Sequence, residues 1–510
     1  MKKPTNLNDA QWQAVISPAR RLLIVAGPGT GKTHTLTSRI AYQARALPPG
    51  RKMLAITFTH KAAGEMRQRL ERLIPDVAGR VETGTFHQFC LSVLRDHFRQ
   101  AGLSADFRIV IPQELEHLAR EYWPGKNMRD IRMALHKFAW LKTVEFGGDW
   151  PPEFQGFHDF LNQKQCLDFD DLLRRTYDLL CRDSKVLADC RSIYQDIFVD
   201  EYQDLNPIQH ALVKVLVGTD GRITAIGDPQ QAIYGFRGAD AGFFECFKED
   251  YAPAQTLVLD HNYRSAHNLL TAYGQVISRA GRIMVPDLTA TVYEQGRLVV
   301  HESATDKAEA EFVVHEIEKL IGGVGMFSQD SGRLEAEDVG DYGFGDIAVF
   351  FRLNSQAREI KRAFDRLGVP YRWSGEQQHA QDMAEELYEP GIPEPEIDGQ
   401  RVNLLTLHAA KGLEFPVVFI VGCEAGLIPL DFEGFVSDPL EERRLFYVGM
   451  SRAKERLYLV SSKKRFLYGK TIQARPSPFV ADIDQQLKEV IHSRYKKNPK
   501  PAKQQLNLFK

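Results

Sequence analysis

The chain has 510 residues, 43% hydrophobic and 26% charged, which suits a soluble protein of roughly two to four domains, each with its own core. Its formal net charge of −2 excludes a uniformly basic nucleic-acid coat and confines any such binding to local patches. Six cysteines form no C-x-x-C pair, no apolar leader core follows MKKPTN, and no apolar run is long enough to span a bilayer, so the expectation is a reduced, cytoplasmic protein.

In chain order, Leu7-Asn8-Asp9-Ala10-Gln11 has the form of a helix start with Asn8 or Asp9 as cap. The Gln11 amide carries the donors and acceptor to pair with an adenine edge, although on these residues alone a surface position on an amphipathic helix is the plainer reading. Leu22 to Thr33 then reads LLIVAGPGTGKT, a buried parallel strand followed by a turn of small residues and Lys-Thr. Gly27, Gly29 and Gly31, with Pro28 and Thr30 between them, let backbone N–H groups turn onto phosphate oxygens at the start of a helix over 33–42. Lys32 is placed to reach the β- and γ-phosphates and Thr33 to ligate Mg²⁺. The first position of the strict G-x-x-x-x-G-K-[ST] pattern is Ala26, which is small enough to keep the nucleotide reading.

Runs over 53–59 (MLAITFT) and 81–87 (VETGTFH) read as further strands. Thr57, Phe58, Thr59, Thr85 and His87 then fall at strand carboxyl ends, where open α/β sheets meet ligands. Phe58 and His87 suit the core equally well. Over 88–189 the apolar spacing turns helical and is interleaved with Arg and Lys, which predicts a helical insertion in this first domain. Within it, the carboxylates of LDFDDLL (167–173) read as a solvated helix start rather than a metal cluster.

The sheet resumes at 197–204, IFVDEYQD. A strand ending in Asp-Glu downstream of a phosphate loop places Asp200 to hold Mg²⁺ through its water shell and Glu201 to polarise the attacking water. After another strand at 223–226 comes GDPQQAIYGFRG, where Gln231 is placed to sense the γ-phosphate. Tyr234 and Phe236 offer flat faces on which nucleic-acid bases can stack.

This order of blocks, LNDAQ, AGPGTGKT, ITFTHKAA, TGTFH, VDEYQD and GDPQQAIYGFRGA, resembles the superfamily 1 DNA helicases of the UvrD/Rep/PcrA type. It continues with NYRS at 262–265, VNLLTLHAAKGLEF at 402–415 and EERRLFYVGMSRAKE at 441–455. The resemblance implies an α/β chain of two RecA-like P-loop NTPase domains, parallel sheets flanked by helices, with the helical insertion in the first. Gln11 would read adenine and Tyr263 stack on it, with His34 standing where relatives often carry Arg. Arg264 and Arg452 would act as arginine fingers, Glu414 would bind ribose, and Gly412 would allow close backbone approach. Phe58, His87, Tyr234, Phe236, Arg237, Thr406 and His408 would line a single-stranded DNA path, Phe236 standing where Trp is common. The implied activity is ATP- and Mg²⁺-dependent 3′–5′ movement on single-stranded DNA and at its junctions with duplex, in DNA repair, replication restart or recombination, near a bacterial nucleoid. The alternative is a translocase or a recruited accessory subunit with little unwinding of its own.

The second half supports the same architecture independently. Strand-like runs at 297–300, 347–351, 402–407, 416–421 and 456–460 alternate with helical ones, and Val313, Ile317 and Leu320 share one helix face. The expected division is 1–87 with 190–258 for the first domain, 88–189 for its insertion, 259–482 for the second domain and 483–510 for a flexible basic tail. Relatives carry a large helical insertion in the second domain, for which only 374–400 is available here. The tail ends in Gln505-Leu506-Asn507-Leu508-Phe509, similar to the peptide with which bacterial proteins dock on the sliding DNA clamp. Gln505, Leu506, Leu508 and Phe509 would make that contact.

Overall fold

The computed structural model describes residues 3–281, 288–292, 295–322, 342–373, 397–432 and 435–492. The stretch 374–396 and the tail residues Gln505, Leu506, Leu508 and Phe509 lie outside the described residues.

Two parallel sheets organise the chain. The first holds β1 (Arg21–Ala26), β2 (Lys52–Thr57), β3 (Val81–Thr85), β4 (Tyr194–Val199), β5 (Arg222–Gly227) and β6 (Gln255–Leu259), in the order β3-β2-β4-β5-β1-β6. The second holds β7 (Arg297–Ser303), β8 (Ile347–Phe351), β9 (Tyr371–Trp373), β10 (Val402–Thr406), β11 (Phe415–Val421), β12 (Ala453–Ser462) and β13 (Glu489–His492). Its order is β9-β10-β8-β11-β12-β7-β13. Central strands such as β8 are apolar at every position because helices cover both sheet faces. Alternation sends Leu23 and Val25 into one core and Leu22, Ile24 and Ala26 into the other. The second sheet divides in the same way, with Val349 and Phe351 on one face and Ala348 and Phe350 on the other.

Two strands stop earlier than their sequences suggest. Thr59 caps the helix His60–Leu73, its hydroxyl accepting from Ala62 N. Thr85 and Gln88 form a capping box on Phe86–Asp96, so Phe86 and His87 are helical. In both places a threonine cap ends the extended run.

The stretch 88–189 divides in two. Trp123, Phe138, Phe154 and Phe157 centre a separate helical core running from Val110 to Cys166. The helices Phe86–Asp96 and Phe169–Arg182 instead contribute to the core of the first sheet. The carboxylates of LDFDDLL need a correction: Asp168 and Asp171 are buried, not solvated, while Asp170 is partly exposed. Asp168 caps Phe169–Arg182, but Lys142 Nζ lies 2.6 Å from Asp168 and 2.7 Å from Asp171, with all three side chains at 7% exposure or less. The partner lies 26 residues upstream, so local spacing could not reveal it.

The expected tail boundary at 483 is also corrected. Glu489–His492 pairs in parallel with β7, Val299 opposite Glu489, so the chain through His492 belongs to the second sheet. Among the described residues no helix is long and apolar enough to cross a membrane. All six cysteines are free, with Cys181 and Cys246 exposed.

Candidate nucleotide cleft and nucleic-acid track

The phosphate loop joins β1 to the helix Lys32–Ala44, with Gly31 as its N-cap at φ 79°. Gly29 sits at φ +69°, and a Cβ there would lie 2.7 Å from both Asn262 and Arg264. That closeness is used: Tyr263 N donates to Gly29 O at 2.8 Å, and Asn262 Nδ2 donates to Pro28 O at 2.7 Å. Asn262 is fully buried, and its Oδ1 accepts from the backbone of Arg264 and Ser265. It therefore sets the whole 262–265 turn against the phosphate loop, a role its NYRS context did not announce.

Gln11 is buried beneath the same loop. Its Oε1 accepts from Asn8 N at 3.0 Å and its Nε2 donates to Thr30 O at 3.0 Å, which leaves one N–H and one lone pair for a base. Nearby, half-exposed Tyr263 accepts from Asn8 Nδ2 at 2.9 Å, and burial lowers the pKa of His34. Lys32 Nζ rests on the carbonyls of Ala26 and Gly27 at 3.2 and 3.3 Å.

Three buried carboxylates, Asp200, Asp204 and Asp228, and the partly buried Glu201 face Lys32. Burial and then the adjacent Glu201 push Asp200 up to about 7. Asp204 is pushed up to about 7 mainly by burial, and Asp228 is raised for the same reason. Burial works against Glu201 too, but Lys32, Lys411, Gln203 and Arg452 together hold it below the usual carboxylate range. Among the described residues no cluster of three His, Cys, Asp or Glu side chains forms a metal cage. A surplus of buried acid beside the Thr33 hydroxyl suits a hard cation held largely through water, with Asp200 and Thr33 as the protein donors.

The second domain brings cations to this cleft. Arg264 Nε donates to Glu414 at 2.8 Å, and Lys454 holds the other Glu414 oxygen at 2.8 Å. Against the cost of burial, these two cations hold Glu414 down at about 2. Gly412 lies two residues before it at φ +84°, exposed and with open space around its Cα. Arg452 is 2% exposed and reaches Gln231 Oε1 at 3.3 Å while bonding the carbonyls of Val448 and Leu413. Burial, with Arg264 nearby, brings Arg452 down to about 9. Gln231 also donates to Asp228 at 2.8 Å.

Below the cleft runs a set of rings. Phe58 and Tyr234 stack with centroids 5.0 Å apart and planes 10° apart. Phe236, 38% exposed, meets Tyr234 at 6.1 Å and His408 at 5.4 Å, edge to face. Arg237 lies over the rings of both Tyr234 and Phe236. These rings border a cavity of about 530 Å³ between the first sheet and the helical subdomain, lined also by Thr57, Thr85, His87, Trp140 and Phe169. Desolvation keeps His87 neutral, its pKa down at about 4, and lowers the pKa of His408 as well. Thr57, Thr59, Thr85 and Thr406 spend their hydroxyls on neighbouring backbone groups.

Two parallel α/β domains that face each other across a glycine-rich phosphate loop, with acids on one side and arginines on the other, define a P-loop nucleoside-triphosphatase. A model of the UvrD/REP helicase N-terminal domain matches residues 7–145 and 149–252, and one of the UvrD-like helicase C-terminal domain matches 257–380 and 389–464. The chain belongs to the UvrD/Rep/PcrA-type superfamily 1 helicases and is an ATP-dependent DNA helicase. The ATP-dependent DNA helicase PcrA of Staphylococcus epidermidis (strain RP62A) is 27% identical, the match taking in 94% of this chain and 87% of the relative. PcrA of Staphylococcus aureus (strain MRSA252) is 27% identical over 95% and 87%. The match to the S. epidermidis protein runs over 651 positions against 510 residues here, so the relative carries inserted sequence that this chain lacks.

Proposed function

We propose that the protein moves 3′ to 5′ along single-stranded DNA and works at single-strand/duplex junctions in repair, replication restart or recombination of a bacterial genome, close to the nucleoid. The observation that carries this reading is the continuity from cleft to track: Gln231 contacts Arg452 from the second domain, and Tyr234 and Phe236 follow three and five residues later.

In this reading ATP enters between the domains, its adenine between Gln11, His34 and Tyr263 and its ribose at Glu414. Backbone groups from Ala26 to Gly31 and the Lys32 ammonium take the phosphates. Mg²⁺, held by Thr33 and Asp200, would neutralise charge on the phosphate oxygens. Glu201 accepts the proton of the attacking water, and Arg264 and Arg452 stabilise the charge that spreads over the γ-phosphate oxygens. Arg264 must leave Glu414, and Lys32 must leave the carbonyls of Ala26 and Gly27, to do so. Those exchanges couple nucleotide binding to domain closure. Closure shifts the rings of Phe58, Tyr234 and Phe236 against His408, and bases pass from face to face.

The test is strand separation on short duplexes with a 3′ tail, a 5′ tail or no tail, with Lys32→Ala as control. Opening of the 3′-tailed duplex alone supports the reading, and opening of the 5′-tailed duplex overturns its polarity. A second reading, a translocase that displaces bound proteins with little intrinsic unwinding, is favoured by the inserted sequence that the relatives carry and this chain lacks. It predicts DNA-stimulated ATP hydrolysis without duplex opening. The QLNLF tail would recruit either form to the sliding clamp, and pull-down with and without residues 505–510 tests that contact.

A further inference from the structure

Gln203 is fully buried in the short turn Tyr202–Asp204, two residues beyond Glu201. Its Nε2 donates to Glu201 Oε2 at 2.5 Å, and its Oε1 accepts from Asp228 N at 3.0 Å. The second bond fixes the orientation of the amide, because a main-chain N–H needs an acceptor, and the NH₂ group is left facing the acid. Glu201 itself sits at φ +51°, a left-handed conformation that a residue with a side chain holds only where its surroundings impose it. The first sheet makes room for this amide at Gly227, the last residue of β5: a Cβ there would collide with Gln203 Oε1.

From Asp228 the bonds continue into the loop that carries the rings. Asp228 Oδ1 accepts from Gln230 N at 3.0 Å, and Asp228 Oδ2 accepts from Gln231 Nε2 at 2.8 Å. A carboxamide suits the junction because it donates a hydrogen bond to an acid and accepts one from a backbone N–H at once. A carboxylate could only accept and an ammonium only donate.

We propose that Gln203 is a positioning residue: it fastens the Glu201 carboxylate to the 228–238 loop, so that DNA seated on Tyr234 and Phe236 aligns that carboxylate with the attacking water. The inference rests on the reading of Glu201 as general base.

Gln203→Met removes both bonds at similar volume, and Gly227→Ala keeps both groups but evicts the amide from its place. In the full-length protein with saturating oligothymidine, each is expected to lower kcat about 10- to 100-fold. KM for ATP and Kd for a fluorescein-labelled oligothymidine should stay within about twofold. The rate without DNA should fall less, so that stimulation by DNA collapses. The double variant should be no worse than the poorer single one, since both break the same contact. Two results overturn the inference: stimulated kcat within about twofold of the parent in Gln203→Met, or a loss of kcat matched by equal losses in ATP and DNA binding, which marks a packing role. Glu201→Gln separates the premise from the inference. If it remains active, Glu201 is not the base and both fail; if it is inactive while Gln203→Met retains stimulation, only the role of Gln203 fails.

Discussion

Lys411 Nζ lies 2.5 and 2.7 Å from the two carboxylate oxygens of Asp204, although the residues are 207 positions apart and belong to different domains. The same ammonium donates to Gln231 O at 2.7 Å and lies 4.8 Å from the Tyr234 ring centroid. It therefore touches the acid, sensor and ring segments of the first domain at once. With side chains 8% and 1% exposed, the pair has little water to replace a lost partner. Lys411→Met is expected to destabilise the protein by about 3–5 kcal/mol, as breaking a buried pair does. Lys411→Met with Asp204→Asn should recover more than half of that, read from urea unfolding.

Gly29→Ala should strike the cleft from the other side. The new methyl group would meet Asn262 and Arg264 at 2.7 Å, and the left-handed φ adds strain of about 1–3 kcal/mol. ATPase activity is expected to fall about 10- to 100-fold through displacement of the 262–264 turn. Far-UV circular dichroism should remain that of the parent.

The rings make a separable contribution. Phe58→Ala and Phe236→Ala are each expected to weaken single-stranded DNA binding by about 1–3 kcal/mol, measured by fluorescence anisotropy. Phe236→Trp offers a larger stacking face and should tighten binding.

A pH dependence is expected from a buried acid pair in the second domain. Glu309 and Glu424 share one buried guanidinium, that of Arg465, each at 2.6 Å. Burial, with Glu424 alongside, pushes Glu309 up to about 7 despite Arg465. A raised carboxyl pKa means that the folded state holds the proton more tightly than the unfolded chain. Its stabilisation is therefore complete below the ordinary carboxylate range and is lost as pH rises through about 7. Glu309→Gln cannot ionise but can still accept from Gly422 N. It should shrink the difference between urea midpoints measured at about pH 5 and pH 8.

What the sequence revealed and what it hid divide along physical lines. Ile347–Phe351 and Leu22–Ala26 were legible because strands covered on both faces must be apolar throughout. Gln255–Leu259, Tyr371–Trp373 and Glu489–His492 were not. The first two are partly exposed along much of their length, all three lie at sheet edges, and each is only three to five residues long, too short for a clear periodic signal. The phosphate loop and the Asp200-Glu201 pair were legible because their chemistry is local, with residue types at fixed spacing. Lys142 with Asp168 and Asp171, Asn262 beneath the phosphate loop, and Gln203 opposite Gly227 were hidden. Each depends on a partner that folding brings from elsewhere, and no spacing rule encodes it.

The helix Phe169–Arg182 belongs to two bodies at once. Its first turn is gripped by Lys142 from the helical subdomain, while Leu172, Leu173, Leu179 and Leu180 are sunk in the core of the first sheet. It is thus a rigid joint with a charged pivot, through which a swing of the subdomain would reach the sheet without a slack linker between them. Phe169, on the pivot's first turn, is one wall of the cavity beside the rings. A displacement of the subdomain would therefore move a wall of that cavity together with the helix.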